Sequence, residues 1–357
     1  IGFTSGSTGL PKGFMRHHRS WAESFRVSLR DFGPAAATRV LAPGRMSHSL
    51  FLFGALLGLW TGAGALLPEC FSAPRALATL QAGAAPLLVA VPSQLVLMLQ
   101  YAERRQLAPI EGVELVLISG ARWLRERTPA LRRLFPRARI VEFYGASEAS
   151  YIAWMDADPA APAQAVGRAF SNVDLHIGEH PEAPALPAGQ PGLIWVRSPM
   201  LFMDYVNQAD ATAALRVGDW LSVRDMGHLD ASGLLHLCGR ENRMLVTQGK
   251  NLFPEEVEQR LLAHPAVAQA SLQGAFDELR GSSVHAVLQW QGDAAAGAQQ
   301  LAAWCREALE PFKTPRHWWL WKGDWPQTAS GKTDHGAIAR ALADTPVGAS
   351  PLLEPWP

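Results

Sequence analysis

Short apolar runs alternate with helical patterns along most of this chain, and no other feature constrains its fold as tightly. Residues 39–42, 87–91, 115–118 and 140–143 are apolar stretches of strand length, without the in-out alternation of a half-buried strand. Between them, 74–82, 93–105 and 124–135 repeat apolar residues at helical spacing, the last two with charged faces. Strands buried on both faces and separated by helices imply an α/β fold with a mostly parallel sheet. The pattern changes at 166–196 to short strands split by Pro and Gly, with a polar loop at 182–192, so a β-rich subdomain is expected there. Its clearest strands are 193–196 and 234–237. After Gly239-Arg240 a new module begins: a helix at 254–264, strands at 267–273 and 284–290, a helix at 298–309, then a Trp-rich strand. The expected organisation is a large α/β domain of mixed, mostly parallel sheets over 1–239, a hinge at 240–243, a small α+β domain over 244–342 and a loose Pro-rich tail at 343–357. No internal repeat is visible.

Composition narrows the classes of function. Lys plus Arg and Asp plus Glu both total 32, so no net field draws nucleic acid or an anionic membrane. With 48% hydrophobic and only 18% charged residues the chain should bury a large core. Cys70, Cys238 and Cys305 are odd in number and lack Cys-x-x-Cys spacing, which fits a reducing compartment, the cytoplasm. Ile1-Gly2-Phe3 is neither an initiator nor a basic leader, and the sequence is expected to be a fragment. One stretch imitates a membrane span: 50–67 has no charge and repeats Gly54, Gly58 and Gly62 at four-residue spacing. Thr61, Gly62 and Gly64 interrupt it, so a buried helix at 51–60 followed by a strand at 65–67 is the better reading.

The strongest local signal is Thr4-Ser5-Gly6-Ser7-Thr8-Gly9-Leu10-Pro11-Lys12-Gly13. Hydroxyls and glycines this dense let the backbone wrap an anion with converging donors, and Lys12 adds charge, which suits a triphosphate. It lacks the Gly-Lys-Ser/Thr ending of a Walker loop. A second lysine ends Thr328-Ala329-Ser330-Gly331-Lys332. Gly331-Lys332-Thr333 mimics a Walker ending, but Pro326 stands where its first Gly is required.

These two elements, in this order, resemble the adenylate-forming superfamily of acyl-CoA synthetases, peptide-synthetase adenylation domains and luciferases. The resemblance covers nearly all of 1–340. It also rests on Ser119-Gly120-Ala121, Tyr144-Gly145-Ala146-Ser147-Glu148, Asp225-Met226-Gly227 through Asp230 and Gly233 to Gly239-Arg240, Gly249-Lys250-Asn251 through Glu258, and Phe312-Lys313-Thr314-Pro315.

What the resemblance implies can be laid onto individual residues. The loop Thr4, Ser5, Gly6, Ser7, Thr8, Gly9 with Lys12 would hold the β- and γ-phosphates of ATP, and Glu148 would place Mg²⁺ against charge that builds as a carboxylate attacks the α-phosphorus. Ser119, Gly120, Ala121 and Tyr144, with Gly145 and Ser147 beside them, would line the adenine. Asp225 would accept from the ribose hydroxyls, with Arg240 reaching the sugar or phosphate; spacing to Asp230, Gly233 and Arg240 selects Asp225 over the nearby Asp219. Lys332 would be a mobile cation for the acyl carboxylate, brought by the small domain. Gly249, Lys250 and Asn251 would line the path of coenzyme A. His48, at an aromatic or His gate of acyl-CoA synthetases, would border the acid, and the Asp that holds an amino acid's ammonium is lacking, which favours an acid without an amino group.

The implied activity is an acyl-CoA synthetase that makes an acyl-adenylate from a carboxylic acid, a fatty acid being expected, and passes the acyl group to coenzyme A. An adenylation domain loading a carrier protein, and a truncated relative that binds nucleotide or a partner without catalysis, are the alternatives. Several positions depart from the family pattern. Arg224 replaces a Gly, Asn242 stands at the hinge position, His335 replaces an Arg and Gln327 a Lys. Family members also carry a segment ahead of the loop, so the resemblance implies an N-terminally truncated large domain. Arg16-His17-His18-Arg19 is read as an exposed helix turn, since adjacent histidines do not share a helix face. Trp318, Trp319, Trp321 and Trp325 are read as strand packing.

Overall fold

The structure, a computed structural model, describes residues 1–5, 11–292, 297–328, 332–344 and 352–356. By contact the chain divides into two units. One comprises Ile1–Thr4, Pro11–Val223 and Gly227–Leu237, the other chiefly Arg224–Met226 and Cys238–Pro357.

The first unit is built on the expected alternation. Val40–Leu41, Ala65–Leu66, Leu87–Ala90, Leu115–Ile118 and Arg139–Ala146 pair in parallel. The middle strands are buried at every residue. Residue parity assigns the two faces. Val40, Leu87, Val89, Leu115, Leu117 and Val141 pack with the helices His18–Phe32 and Ser49–Trp60. Leu41, Leu88, Ala90, Val116, Ile118 and Ile140 pack with Ala73–Gln81, Pro92–Arg105 and Thr128–Leu134 on the other side. Beyond Arg139–Ala146 the pairing turns antiparallel, through Ser150–Asp156 and Ala165–Ala169 to Leu235–Arg240, and the β-rich part of the sequence continues the same sheet, 13-stranded among the described residues.

The apolar stretch at 50–67 folds as one 12-residue helix, Ser49–Trp60, and a short strand. No helix among the described residues is long and apolar enough to cross a membrane. Its glycines serve packing within the unit: a Cβ on Gly58 would lie 2.4 Å from the Gly64 carbonyl oxygen, and one on Gly54 would press on Ala42 and Val89.

In the second unit Val267–Asp277, Gly281–Trp290, His317–Trp321 and Leu353–Trp356 form a four-stranded sheet. Pro254–Leu262 and Gly297–Arg306 cover one face, where Leu261, Leu272, Leu288 and Leu301 make the core. His335–Ala343 belongs to a smaller cluster of Val287, Trp325, Ile338 and Leu353. Trp318 and Trp325 are buried, as strand and core packing requires. The tail read as loose is corrected here: 353–356 is an edge strand, with Trp318 opposite Trp356 and Trp319 opposite Pro355. An edge strand tolerates a proline, which has no N–H to give the ladder. The Trp356 ring packs where any side chain on Gly297 would stand, 1.6 Å from an added Cβ.

Candidate functional site

The Ser/Thr/Gly loop is bracketed by two paired strands, Gly2–Ser5 and Pro11–Phe14. Thr4 and Ser5 end the first, while Gly6, Ser7, Thr8 and Gly9 lie outside the described residues. The second strand is fastened to the segment 203–206 by backbone bonds: Met15 N–H donates to Asp204, Met203 to Met15 and Val206 to Gly13, all within 2.8 Å. That fastening brings Lys12 over the ring of Tyr205, 5.1 Å from its centroid.

Tyr205 in turn reaches Glu148. Its hydroxyl donates to Glu148 Oε1 at 2.6 Å, both side chains being buried. The Glu148 carbonyl accepts from Phe202 N–H at 2.7 Å, so backbone and side chain of Glu148 are both set by the 202–205 segment. A buried carboxylate oriented by a hydroxyl has the hard oxygen donor Mg²⁺ prefers, and Mg²⁺ is commonly held by one or two carboxylates together with substrate phosphates. Glu148 fits that ion. Tyr205 escaped the sequence reading: it lies 57 residues from Glu148 in an irregular stretch with no periodic signal.

The other residues expected at this site gather on two turns. Gly120 has φ +88, a conformation reserved for glycine, and an added Cβ would lie 3.2 Å from Val91 and 3.7 Å from His48. Ser119 before it is buried and Ala121 after it is exposed. His48 is the residue just ahead of the helix Ser49–Trp60. Ser147 Oγ donates to Ser49 Oγ at 3.1 Å, tying that helix start to the turn that carries Glu148, just past the strand end with Tyr144 and Gly145. At Gly145 a side chain would strike the Ser150 carbonyl at 2.1 Å, so the turn closes only with glycine there. The strand leading into it is anchored by a buried pair, Arg125 bidentate to Glu142 at 2.8 and 3.2 Å, with Arg125 also donating to the carbonyls of Pro162 and Ala165. Burial pushes the Glu142 carboxyl above its usual range, and Arg125 pulls it back.

One expectation holds only in part nearby: His17, His18 and Arg19 are exposed as expected, and Arg16 is not. Arg16, read as part of an exposed turn, folds inward: its guanidinium donates to Ser20 Oγ, the Ser20 carbonyl and Ser24 Oγ, and stacks 4.1 Å over Trp21. His17 caps the helix through Nδ1, which accepts from Ser20 N–H.

The second unit carries the remaining residues. Asp225 is buried and lies 3.3 Å from Arg240 Nε, while Asp219 is exposed, so burial agrees with the choice made from spacing. Just before it Arg224 has φ +64 and pairs with Glu241 at 2.5 Å. Lys332 sits on a tight turn in which Thr328 N–H donates to the Lys332 carbonyl at 2.8 Å and Gln327 bridges to Thr333. As a residue it is exposed, yet desolvation first and then the charge of Arg240 hold its pKa below the ordinary lysine value against the pull of Asp225. Asp225, Arg240 and Lys332 therefore form one electrostatic group. Gly249, Lys250 and Asn251 are exposed around a hairpin turn where Gln248 and Gly249 both have positive φ, and Lys250 lies 4.8 Å over the Phe312 ring.

His335 opens the helix that follows Lys332. Its Nδ1 meets Ser271 Oγ at 2.8 Å and lies 3.6 Å from Glu258, which is itself paired with Arg243. Burial first, then Arg243, lower its pKa to about 4.

Comparison with known proteins agrees with this geometry. Residues 1–206 match the AMP-binding enzyme family and 256–332 match the AMP-binding enzyme C-terminal domain. An uncharacterized acyl-CoA ligase, YhfT of Bacillus subtilis, is 36% identical over 350 residues, spanning 97% of this chain and 69% of the relative. A putative long chain fatty acid-CoA ligase, VraA of Staphylococcus epidermidis, is 29% identical over 88% of this chain and 65% of its own length. The chain thus spans about two thirds of these relatives. The o-succinylbenzoate CoA synthetase of Bacillus subtilis, solved with the acyl-adenylate OSB-AMP, superposes with a TM-score of 0.84 at 25% identity over 98% of this chain and 69% of that one. Its complex with ATP and a magnesium ion gives the same TM-score over 96% of this chain.

Proposed function

Since the chain belongs to the AMP-binding enzyme family, we propose that it is the greater part of an ATP- and Mg²⁺-dependent acid-CoA ligase that activates a carboxylic acid, a fatty acid, as its adenylate and transfers the acyl group to coenzyme A. The observation that carries this reading is the Lys12–Tyr205–Glu148 arrangement, an oriented buried carboxylate and a cation at the end of a phosphate-wrapping loop. YhfT and VraA, both named as CoA ligases, support the thiol acceptor, and the name of VraA supports a fatty acid.

In this reading Glu148 holds the Mg²⁺, which neutralises phosphate oxygens when bound, and Tyr205 keeps the carboxylate turned toward it. Lys12 and the loop Thr4 to Gly9 take the β- and γ-phosphates. Ser119, Gly120, Ala121 and Tyr144 receive the adenine, where the Cβ-free Gly120 lets a flat base approach the backbone. Asp225 accepts from the ribose hydroxyls, and Arg240, 3.3 Å away, keeps that carboxylate aligned. Lys332 meets the acyl carboxylate as it attacks the α-phosphorus, where an ammonium offsets the charge that develops. His48 borders the acid. Residues 240–243 are the hinge, and the 249–251 turn receives the pantetheine arm in the second step.

ATP–pyrophosphate exchange with a panel of acids tests the first half-reaction, and adding coenzyme A tests the second. Acid-dependent exchange without thioester formation would favour a carrier-loading domain. AMP binding without exchange for any acid would favour a non-catalytic relative.

A further inference from the structure

The strand Leu353–Trp356 lies beyond the matched C-terminal domain, which ends at Lys332, and no step of the proposed reaction uses it. Three residues apart, Leu353 and Trp356 leave opposite faces of the strand. Trp356 stands opposite Trp318 and fills the notch at Gly297, on the face of Leu272, Leu288 and Leu301. Leu353 is buried on the other face, in the cluster of Val287, Trp325 and Ile338. Two members of that cluster flank Lys332 in sequence, and each is tied to the turn that carries it. The Trp325 indole N–H donates to Thr333 Oγ1 at 3.1 Å, and the Pro326 carbonyl accepts from Asp334 N–H at 2.9 Å. Asp334 caps the helix His335–Ala343 by accepting from Ala337 N–H at 2.9 Å, and its carbonyl accepts from Ile338 N–H at 3.2 Å. One arm of the turn therefore hangs on Trp325 and the other on Ile338, and the strand packs Leu353 among both. Trp321, paired with Leu353 across the sheet, meets Trp325 edge-on at 6.1 Å and adds a second link.

We propose that Leu353 and Trp325 are positioning residues for Lys332: the C-terminal strand clamps both arms of the turn and so fixes where the ammonium is presented for adenylation. This role rests on the ligase reading above, in which Lys332 meets the acyl carboxylate. A lysine stem is flexible, so the place of its ammonium depends on how firmly the backbone beneath it is held. Misplacing a reacting partner by about 1 Å costs as much as about a hundredfold in rate, which is why a contact remote from the chemistry matters here.

The test compares Leu353→Ala with Trp356→Leu in the 357-residue chain, two changes in one strand that open opposite faces of its sheet. Amide hydrogen exchange, read peptide by peptide, needs no activity. Leu353→Ala is expected to speed exchange across 325–338 by at least about tenfold and to leave 297–306 unchanged, and Trp356→Leu to do the reverse. Equal acceleration of both regions by both variants, or no change at 325–338 in Leu353→Ala, would overturn the clamp. In the half-reactions, Leu353→Ala should lower kcat for acyl-adenylate formation by about tenfold, while the KM for ATP and thioester formation from supplied acyl-adenylate stay within about twofold. Leu353→Met should restore adenylation, and Trp356→Leu should leave it within about twofold of wild type. A loosened turn with unchanged adenylation would refute the positioning role. Wild-type chain that exchanges pyrophosphate with no acid would overturn the ligase reading and the role built on it, while hydrogen exchange still decides the clamp itself. If Leu353→Ala does not fold, Trp325→Phe, which keeps a ring and removes the bond to Thr333, decides by the same measurements.

Discussion

Tyr205→Phe isolates the contact on which the phosphate side of the site depends. The substitution removes one oxygen and nothing else: the ring that packs on Phe202 at 5.0 Å and lies under Lys12 is retained. What is lost is an O–H bond to a carboxylate at 2.6 Å, within the short range typical of charge-assisted bonds. Bonds to charged groups contribute about 1.5 to 3 kcal/mol, and here the orphaned acceptor is a buried Glu148 that water does not readily reach. Stability should therefore fall by about 2 kcal/mol. Because part of this is the cost of stranding Glu148, it should shrink once Glu148→Gln has removed the charge. A double-mutant cycle of Tyr205→Phe and Glu148→Gln, followed by urea unfolding, should return a coupling of about 1 to 2 kcal/mol. Coupling within about 0.5 kcal/mol of zero would mean that Tyr205 does not orient Glu148, and the Mg²⁺ role built on that orientation would go with it.

Other perturbations separate the remaining roles. Lys332→Ala should lower acyl-adenylate formation by about a hundredfold or more while sparing thioester formation from supplied acyl-adenylate; equal loss in both half-reactions refutes the assignment. Asp225→Ala should weaken AMP and ATP alike by about 1.5 to 3 kcal/mol, whereas Glu148→Gln should weaken Mg²⁺-ATP and leave AMP nearly unchanged, and calorimetry showing the reverse pattern would mean the two roles are exchanged. His335 is held neutral, its folded pKa of about 4 lying below the ordinary 6.5, so the unfolded chain binds the extra proton between those values. Its contribution is therefore complete above about pH 6.5 and is lost as pH falls toward 4, with a slope of at most about 1.4 kcal/mol per pH unit for one proton. His335→Gln should flatten the acid limb of the unfolding free energy without abolishing it, because His285 is likewise lowered to about 4 by burial and His317; an unchanged limb would show that His335 does not set it.

The parallel half of the first unit was readable because its strands are buried on both faces, so runs such as Leu87–Ala90 leave no polar alternation to confuse with a surface helix. Two glycines of the candidate site were readable for a different reason: Gly120 and Gly145 stand where a side chain is not accommodated, and a sequence motif records such positions directly. What stayed hidden depends on tertiary contact. Tyr205 acts through a residue remote in sequence, and Arg16 is drawn inward by Ser20 and Ser24, one and two helical turns on, a small polar stripe that helical periodicity counts as solvent-facing. The edge strand Leu353–Trp356 was masked by its own proline, Pro355, which argues against a central strand and permits an edge one.

The departures from the family pattern gain meaning from the same geometry. Arg224 stands where a glycine is usual, yet it keeps the left-handed backbone, φ +64, that a glycine would supply freely. A non-glycine residue held there costs about 1 to 3 kcal/mol, and the exposed pair with Glu241 returns no more than about 1 kcal/mol. The conformation therefore persists against a local cost, imposed by what the backbone on either side must do. That backbone presents Asp225, buried and fixed by Arg240, in the next position. His335 tells the same story at the other cation: where an arginine is usual, a neutral imidazole links Ser271 to the first turn of the helix behind Lys332, so the position has exchanged a charge for an anchor. At both positions the structure shows what holds the segment beside the candidate side chain: an ion pair with Glu241 ahead of Asp225 and a bond to Ser271 behind Lys332.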